Sequence, residues 1–326
     1  MTGPIVTGPI VTGQAGPGRA PRLVHTGNTI VDVVMYLPRL PESGGDVLAS
    51  ASQVTVGGGL NVMVAATRQG LPVAYAGMHG TGPFGDLVRG RLAEEGIELV
   101  QPRLPDRDTG FSVVMVEPGG ERTFATGAGA EAGLGAADLA RIAPEPGDLV
   151  YVTGYSLAYP VNGPALAEWL STLDPGVTVL VDPGPLVAEI PRPVLEPVLA
   201  RTDWWSCNER EARLLTGLAE PLAAATALAE RTGRAGVLVR TGPEGAVLAA
   251  RHRVPVVAPS FPVTVLDTNG AGDAHVGAFA AALAGGLDPV DAVRRANAAA
   301  ALAVTRRGPA TAPTAEEIDE LLGADA

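Results

Sequence analysis

The stretch Val263-Thr-Val-Leu-Asp-Thr-Asn-Gly-Ala-Gly-Asp-Ala-His-Val-Gly-Ala-Phe279 joins an apolar run to a glycine turn and then to an alanine-rich segment. Val263 to Leu266 reads as a strand ending in Asp267-Thr268. Gly270-Ala271-Gly272 reads as a turn, and Asp273 stands at the start of a helix predicted to run to Leu283. Backbone N–H groups at a helix start lack intrahelical partners, and the helix dipole adds partial positive charge. The product is an anion site suited to phosphate. A carboxylate in the same turn is expected to be held ionised, ready to accept a proton from a substrate hydroxyl. The same residues also describe a capped helix whose first-turn aspartate only complements the dipole. A short glycine motif alone does not separate the two readings.

Working outward from this stretch, apolar runs and alanine-rich runs alternate. Strands are predicted at 23–26, 29–37, 53–56, 73–76, 148–152, 177–181, 204–207 and 235–240, with a further β-excursion over 245–258. Helices are predicted at 61–69, 87–95, 164–173, 194–200, 209–216, 222–232, 289–305 and 314–322. Phe111 to Glu117 and Glu121 to Ala125 flank Pro118-Gly119-Gly120 as a β-hairpin. Such alternation implies an α/β fold, a doubly wound and mostly parallel sheet with helices on both faces. Ligands then gather at the carboxyl ends of the strands. Residues 1–21 hold the repeat Thr2-Gly-Pro-Ile-Val6 and Thr7-Gly-Pro-Ile-Val11 and read as a disordered Gly/Pro-rich tail. The α/β core is placed at 22–37, 54–104 and 127–326, and a small β-lid at 38–53 and 105–126.

Composition removes several classes. The net charge of −12 argues against a nucleic-acid surface. All 23 basic residues are arginine, so schemes that need a lysine (a Walker A loop, a protein-kinase strand lysine, a Schiff base) are excluded. No apolar run reaches the roughly 18 residues of a membrane span, and the N-terminus lacks a signal-peptide layout. A single cysteine, Cys207, excludes an internal disulfide and agrees with a reducing compartment; the expectation is a soluble cytoplasmic protein.

Further polar motifs fall at predicted strand ends: Gly27-Asn28-Thr-Ile-Val-Asp32, Gly57-Gly58-Gly59-Leu60-Asn61, Asn208-Glu209-Arg210-Glu211 and Thr241-Gly242-Pro243-Glu244-Gly245. Each alone has a structural reading as a turn, a cap or a solvated charge. In this order they resemble the ribokinase-like (PfkB) carbohydrate and nucleoside kinases, over residues 22–322. Asp267-Thr-Asn-Gly-Ala-Gly-Asp273 matches the family's D-T-x-G-A-G-D, Gly57-Gly58 with Asn61 its G-G-x-x-N, and Asn208 with Glu211 its N-x-x-E. Gly120-Glu-Arg-Thr123 resembles the lid's G-E-R-T, and Val304-Thr-Arg-Arg-Gly308 the closing V-T-R-x-G.

The resemblance implies an ATP-dependent kinase. Asp273 would be the general base, and the amides of Gly270, Ala271 and Gly272 would stabilise charge on the transferring phosphoryl group. Asn28, Asp32, Gly58 and Asn61 fall on acceptor-binding positions, where carboxylates and amides suit a sugar or polyol. Asn208, Thr241, Gly242, Gly245 and Asn297 would line the nucleotide, and Glu211 would organise Mg²⁺ through water. Many members bind a monovalent cation, K⁺, and the matching positions are Asp267, Asn269, Ala303 and Gly308. Members also dimerise through the lid, which makes a homodimer an expectation.

Two departures stand out: His275 where an aromatic is usual, expected only to pack, and Gly59 where ribokinases proper carry lysine, which weakens ribose as acceptor. A nucleoside kinase is the runner-up, with Phe111 and Phe124 over Met35 and Tyr36 available to stack on a base, although ordinary lid packing explains them too. A phosphorylated acceptor would look to Arg103, Arg107 or Arg122. A non-catalytic sensor would have lost the base or the glycines, and a dinucleotide oxidoreductase would need G-x-G-x-x-G in its first βαβ unit.

Overall fold

The computed structural model describes residues 19–324 except 233, 235, 251 and 252. The tail reading for residues 1–21 therefore lies almost wholly outside the described residues. Thirteen strands are described: β1 (Leu23–His25), β2 (Thr29–Tyr36), β3 (Ala51–Gly58), β4 (Val73–Tyr75), β5 (Glu98–Leu99), β6 (Phe111–Val116), β7 (Arg122–Gly127), β8 (Leu149–Thr153), β9 (Thr178–Asp182), β10 (Trp204–Asn208), β11 (Gly236–Arg240), β12 (Ala246–Ala249) and β13 (Val256–Ala258). They form a nine-stranded sheet of order β13-β12-β11-β10-β9-β8-β1-β4-β5 and a four-stranded sheet of order β3-β2-β6-β7.

From β11 to β5 every pairing in the large sheet is parallel, and β12 and β13 add an antiparallel edge. Its central strands read Leu-Val-Tyr-Val-Thr, Thr-Val-Leu-Val-Asp and Gly-Val-Leu-Val-Arg, apolar nearly throughout. That is the pattern of strands buried on both faces. Alternate residues feed two separate cores: Val150, Val152, Val179, Val181, Val237 and Val239 on one face, Leu149, Tyr151, Leu180 and Leu238 on the other. Helices cover both faces, as the alternation predicts. Cys207 lies buried in β10, where burial pushes its thiol up.

Three sequence expectations change. Val263 to Leu266 is not a strand; Val265 and Leu266 are exposed, and the amides of Leu266 and Asp267 donate to Val304 O. The segment thus leans on the chain leaving the helix Pro289–Ala303. Strand β2, which the sequence placed with the core, belongs to the small sheet, paired with β3 and β6. The chain leaves the large sheet at Gly27-Asn28, directly after β1. Strand β3 also extends the small sheet to Gly57-Gly58, so the acceptor motif ends a lid strand. A short helix, Gly154–Ala158, lies where no element was expected.

Candidate active site

Strand ends and helix starts meet around Asp273. The helix Ala271–Ala284 begins on Gly270 in the left-handed region, φ 75°, which favours glycine. Ala271 N–H closes the turn on Thr268 O at 3.3 Å, whereas among the described residues the amides of Gly270 and Gly272 have no carbonyl partner. Asp273 is half-buried in the first turn. Asn61 Nδ2 donates to its Oδ2 at 2.9 Å, and Asn61 Oδ1 accepts from Ala310 N at 2.9 Å. Asn61 comes from the helix Leu60–Arg68, which Gly277 lets approach closely. A Cβ at Gly277 would stand 2.5 Å from Ala65 Cβ and 2.6 Å from Val62 O.

Burial opposes the helix dipole at Asp273. Burial pushes its carboxyl up to about 6, and nearby Asp182 adds to the rise; the Asn61 hydrogen bond and Arg240 oppose it. The expectation of a carboxylate simply held ionised is corrected on this point. A value near 6 still leaves most of the population ionised at neutral pH and close to the optimum for a base.

Asp182 and Arg240 are the last residues of β9 and β11, and no motif announced them. Arg240 Nη1 donates to Asp182 Oδ2 at 2.9 Å and to Ser206 Oγ at 2.6 Å, and its Nη2 lies 3.9 Å from Glu211 Oε2. Burial would lower the Arg240 pKa, but Asp182 and Glu211 outweigh it and hold the guanidinium charged. A Cβ on Gly272 would stand 3.5 Å from Arg240 Nε and Nη2, so this cation backs the glycine turn. Tyr155 was also missed. Its hydroxyl is pushed up by burial and then by the charges of Asp273, Asp182, Glu211 and Asp32. The sequence signal for Asp182 and Arg240 was their position at carboxyl ends of parallel strands.

The acceptor positions gather opposite. Asn28 is buried and its Oδ1 accepts from Thr153 Oγ1 at 3.4 Å. Gly58 adopts φ 62°, with Asn28 O 3.0 Å from where its Cβ would be. A side chain on Gly57 would overlap the Asp32 carboxylate. Asp32 makes no hydrogen bond or ion pair among the described residues, and burial pushes it up to about 6. A Cβ at Gly59 would collide with the buried His25 ring and lie 2.8 Å from Asn28 O, so no lysine fits there. Phe111 packs on Phe84 at 5.3 Å between ring centroids, which favours the packing reading, while Phe124 is exposed.

Asn208 caps the helix Glu209–Thr216 in a reciprocal box. Its Oδ1 accepts from Glu211 N, while its N and Nδ2 donate to Glu211 Oε2 and Oε1, all within 2.9 Å. Glu211 is buried and raised, first by burial and then by Asp182. Two carboxylates thus share one arginine, an arrangement that a divalent cation would relieve; the sparse donor set suits Mg²⁺ held largely through water. Among the described residues no group of three or more His, Cys, Asp or Glu is placed to hold a metal by itself. Thr241 and Gly242 open the turn after β11, and Gly245, φ 105°, passes against Ala258 and Pro259. Asn297 is buried with its amide donating to Ala258 O and Pro259 O at 2.9 and 3.0 Å and its Oδ1 3.1 Å from His275 Nε2. Its polar atoms therefore staple a loop rather than point outward. His275 is buried and pushed down to about 3, a neutral packing residue.

The cation positions also converge, but on an occupied carboxylate. Asp267 Oδ1 accepts from Arg122 Nη2 at 2.7 Å and Asn269 N at 2.9 Å, and Oδ2 accepts from Gly308 N at 3.1 Å. Burial alone would raise its pKa, yet these donors hold it below the usual carboxylate range. Ala303 O accepts from Arg306 N at 3.1 Å and Thr311 Oγ1 at 3.4 Å. The Asp267 carboxylate and the Ala303 carbonyl are thus already partnered.

Residues 20–316 match the pfkB family of carbohydrate kinases. The chain belongs to that family. It is similar to the uncharacterized sugar kinase YegV of Escherichia coli, 37% identical over 90% of this chain and 91% of that protein. Among solved structures, Arabidopsis thaliana ribokinase complexed with ribose and ATP has a TM-score of 0.77 at 26% identity, covering 93% of this chain and 99% of that one. Ribokinase from Thermotoga maritima shares the fold with a TM-score of 0.80 at 24% identity, covering 93% and 99%. The protein is thus a pfkB-family carbohydrate kinase, a sugar or nucleoside kinase, with the ribokinase fold. No helix among the described residues is long and apolar enough to cross a membrane.

Proposed function

We propose that this kinase transfers the γ-phosphoryl group of ATP to a hydroxyl of a small, unphosphorylated sugar or polyol. The observation that carries the reading is the first turn of the helix Ala271–Ala284, a carboxylate raised to about 6 beside unpartnered amides. Asp273 removes the proton from the attacking hydroxyl as the O–P bond forms and the bond to the ADP oxygen breaks. The amides of Gly270 and Gly272, backed by Arg240, face the charge that grows on the phosphoryl oxygens, and Ala271 N–H joins them once it releases Thr268 O. There is little covalent work to do, so positioning and fixed charge carry the rate.

Asp32, half-buried and unpartnered, accepts from acceptor hydroxyls, with Asn28, Gly58 and Asn61 shaping the same pocket. An acceptor phosphate is disfavoured because Arg122 is engaged by Asp267 and the unpartnered Asp32 carboxylate would repel it. Thr241 and Gly242, with Asn208, line the nucleotide, and Asn297 and Gly245 shape the loop behind it. Glu211 and Asp182 would hold Mg²⁺ through water, and the ion would screen the ATP phosphates. The small sheet serves as the lid, and its exposed Tyr36, Val54 and Phe124 suit a homodimer, which sedimentation velocity would check. A nucleoside acceptor is the second reading, favoured only by the exposed Phe124.

A coupled ADP-release screen over pentoses, hexoses, their phosphates and nucleosides tests the proposal. Turnover on free sugars or polyols is expected. Preference for sugar phosphates or nucleosides would contradict the acceptor assignment, and no ADP release above the acceptor-free rate on any member would contradict the activity.

A further inference from the structure

The lid hairpin reaches the core through a charged contact. Arg122, the first residue of β7, meets Asp267, 145 positions away in sequence. The pair is largely shielded, with side-chain exposures of 27% and 15%. Asp267 also grips both sides of the site. Its Oδ1 holds Asn269 N, one residue before the Gly270 turn, and its Oδ2 holds Gly308 N in the closing loop. Three N–H donors thus point at one carboxylate, each with its positive end inward. A monovalent cation would have to enter against those dipoles and displace the guanidinium. The neighbouring Ala303 carbonyl is likewise engaged, by Arg306 N and Thr311 Oγ1.

We infer that the Arg122 guanidinium takes the place of a monovalent cation on Asp267, so that closing the lid hairpin completes the charge balance of the anion-hole loop. Arg122 is then a positioning residue. It acts through Asp267 on the Thr268-Asn269-Gly270 turn and needs no contact with ATP or acceptor. The arrangement differs from an ion site in one consequential way. A bound ion remains whether the lid is open or closed, whereas this charge arrives only with β7. A carboxylate left with two amide donors and no cation is the state of the open lid, and it leaves the turn less firmly fixed.

The inference rests on the kinase reading for its rate measurement but not for its binding measurement. Turnover and thermal midpoint are compared in choline chloride and in KCl at equal ionic strength, for the wild-type chain, Arg122→Gln and Arg122→Lys. Wild-type turnover is expected to be the same in both salts, within about twofold, and its midpoint to be insensitive to K⁺. Arg122→Gln in choline is expected to lose on the order of tenfold in turnover, the scale of a typical coupling between sites. KCl is expected to restore most of that loss and to raise the variant's midpoint, because the vacated position admits the ion. Arg122→Lys keeps a charge without the planar fork and is expected to fall between, with little K⁺ response.

Three results overturn the inference: wild-type turnover stimulated more than about fivefold by K⁺, Arg122→Gln as active as wild type in choline, or a variant inactive in both salts whose midpoint ignores K⁺. The last removes the ion-replacing role from Arg122. If no acceptor supports ADP release, the kinase reading fails, and the midpoints still decide whether K⁺ occupies Asp267 in Arg122→Gln.

Discussion

Replacing Asn61 by leucine should displace the acidic limb of the pH–rate profile, and the structure sets the size of the displacement. Asp273 sits at about 6 because burial and Asp182 raise it while the 2.9 Å hydrogen bond from Asn61 and the charge of Arg240 hold it down. A hydrogen bond to a charged group contributes about 1.5–3 kcal/mol. With water recovering part of that at a half-buried site, about 1.4 kcal/mol remains, which is one pKa unit. The limb in kcat/KM should therefore move from about 6 to about 7. At pH 6 the ionised fraction falls from about one half to about one tenth, roughly a fivefold loss from ionisation, and by pH 8.5 that loss is gone.

Leucine also breaks the bond to Ala310 N, so the limb position, not the plateau, is the readout of ionisation. Asp32, also pushed up to about 6, supplies the control. Asp32→Asn should raise KM and leave the acidic limb of kcat, which excludes acceptor binding, in place. An Asn61→Leu profile whose limb stays at the wild-type pH would refute the assignment of that limb to Asp273.

Two further outcomes follow from the same contacts. Asp273→Asn should stabilise the fold at pH 8. The folded carboxyl keeps its proton to about 6 and an unfolded one only to 3.8, so its favourable contribution is complete below 3.8 and lost as the pH rises through about 6. Allowing for partial exposure, the gain is about 1–2 kcal/mol at pH 8 and vanishes near pH 4, as urea melts at the two pH values would show; equal differences at both would contradict the burial argument. Gly277→Ala forces apart the helices that carry Asn61 and Asp273. It should lose about 1–3 kcal/mol together with turnover, measured by melting and ADP release, and an unchanged protein would mean the helices can separate freely.

The parts of this molecule written in local pattern were readable in advance. Runs such as Val-Leu-Val in β9 and β11, short and β-branched, read as strands covered on both faces, and an Asn-Gly-Ala-Gly-Asp turn before alanines announces a helix start. What the pattern lacks is the identity of the partner. Strand β2 has the alternation of any half-buried strand, and nothing in its eight residues says that it leaves β1 for the small sheet. Val263 to Leu266 has strand composition, yet its amides find the end of a helix instead of a ladder. The site divides in the same way. Asp273, Asn61 and Asp32 were legible because each sits in a motif, whereas Asp182–Arg240 and Arg122–Asp267 are pairs made by folding, separated by 58 and 145 residues. Asn297 was legible as a position but not in role, because only the fold shows both ends of its amide already bonded.

The central claim is that Asp273 takes the proton from the accepting hydroxyl. Single-turnover phosphoryl transfer by Asp273→Asn at pH 8, on the best acceptor from the screen and with ATP and acceptor binding measured separately, tests it most directly. The account predicts binding of both substrates close to wild type and a transfer rate lower by roughly a hundredfold or more, the scale of a lost general base. Transfer within a few-fold of wild type would contradict it.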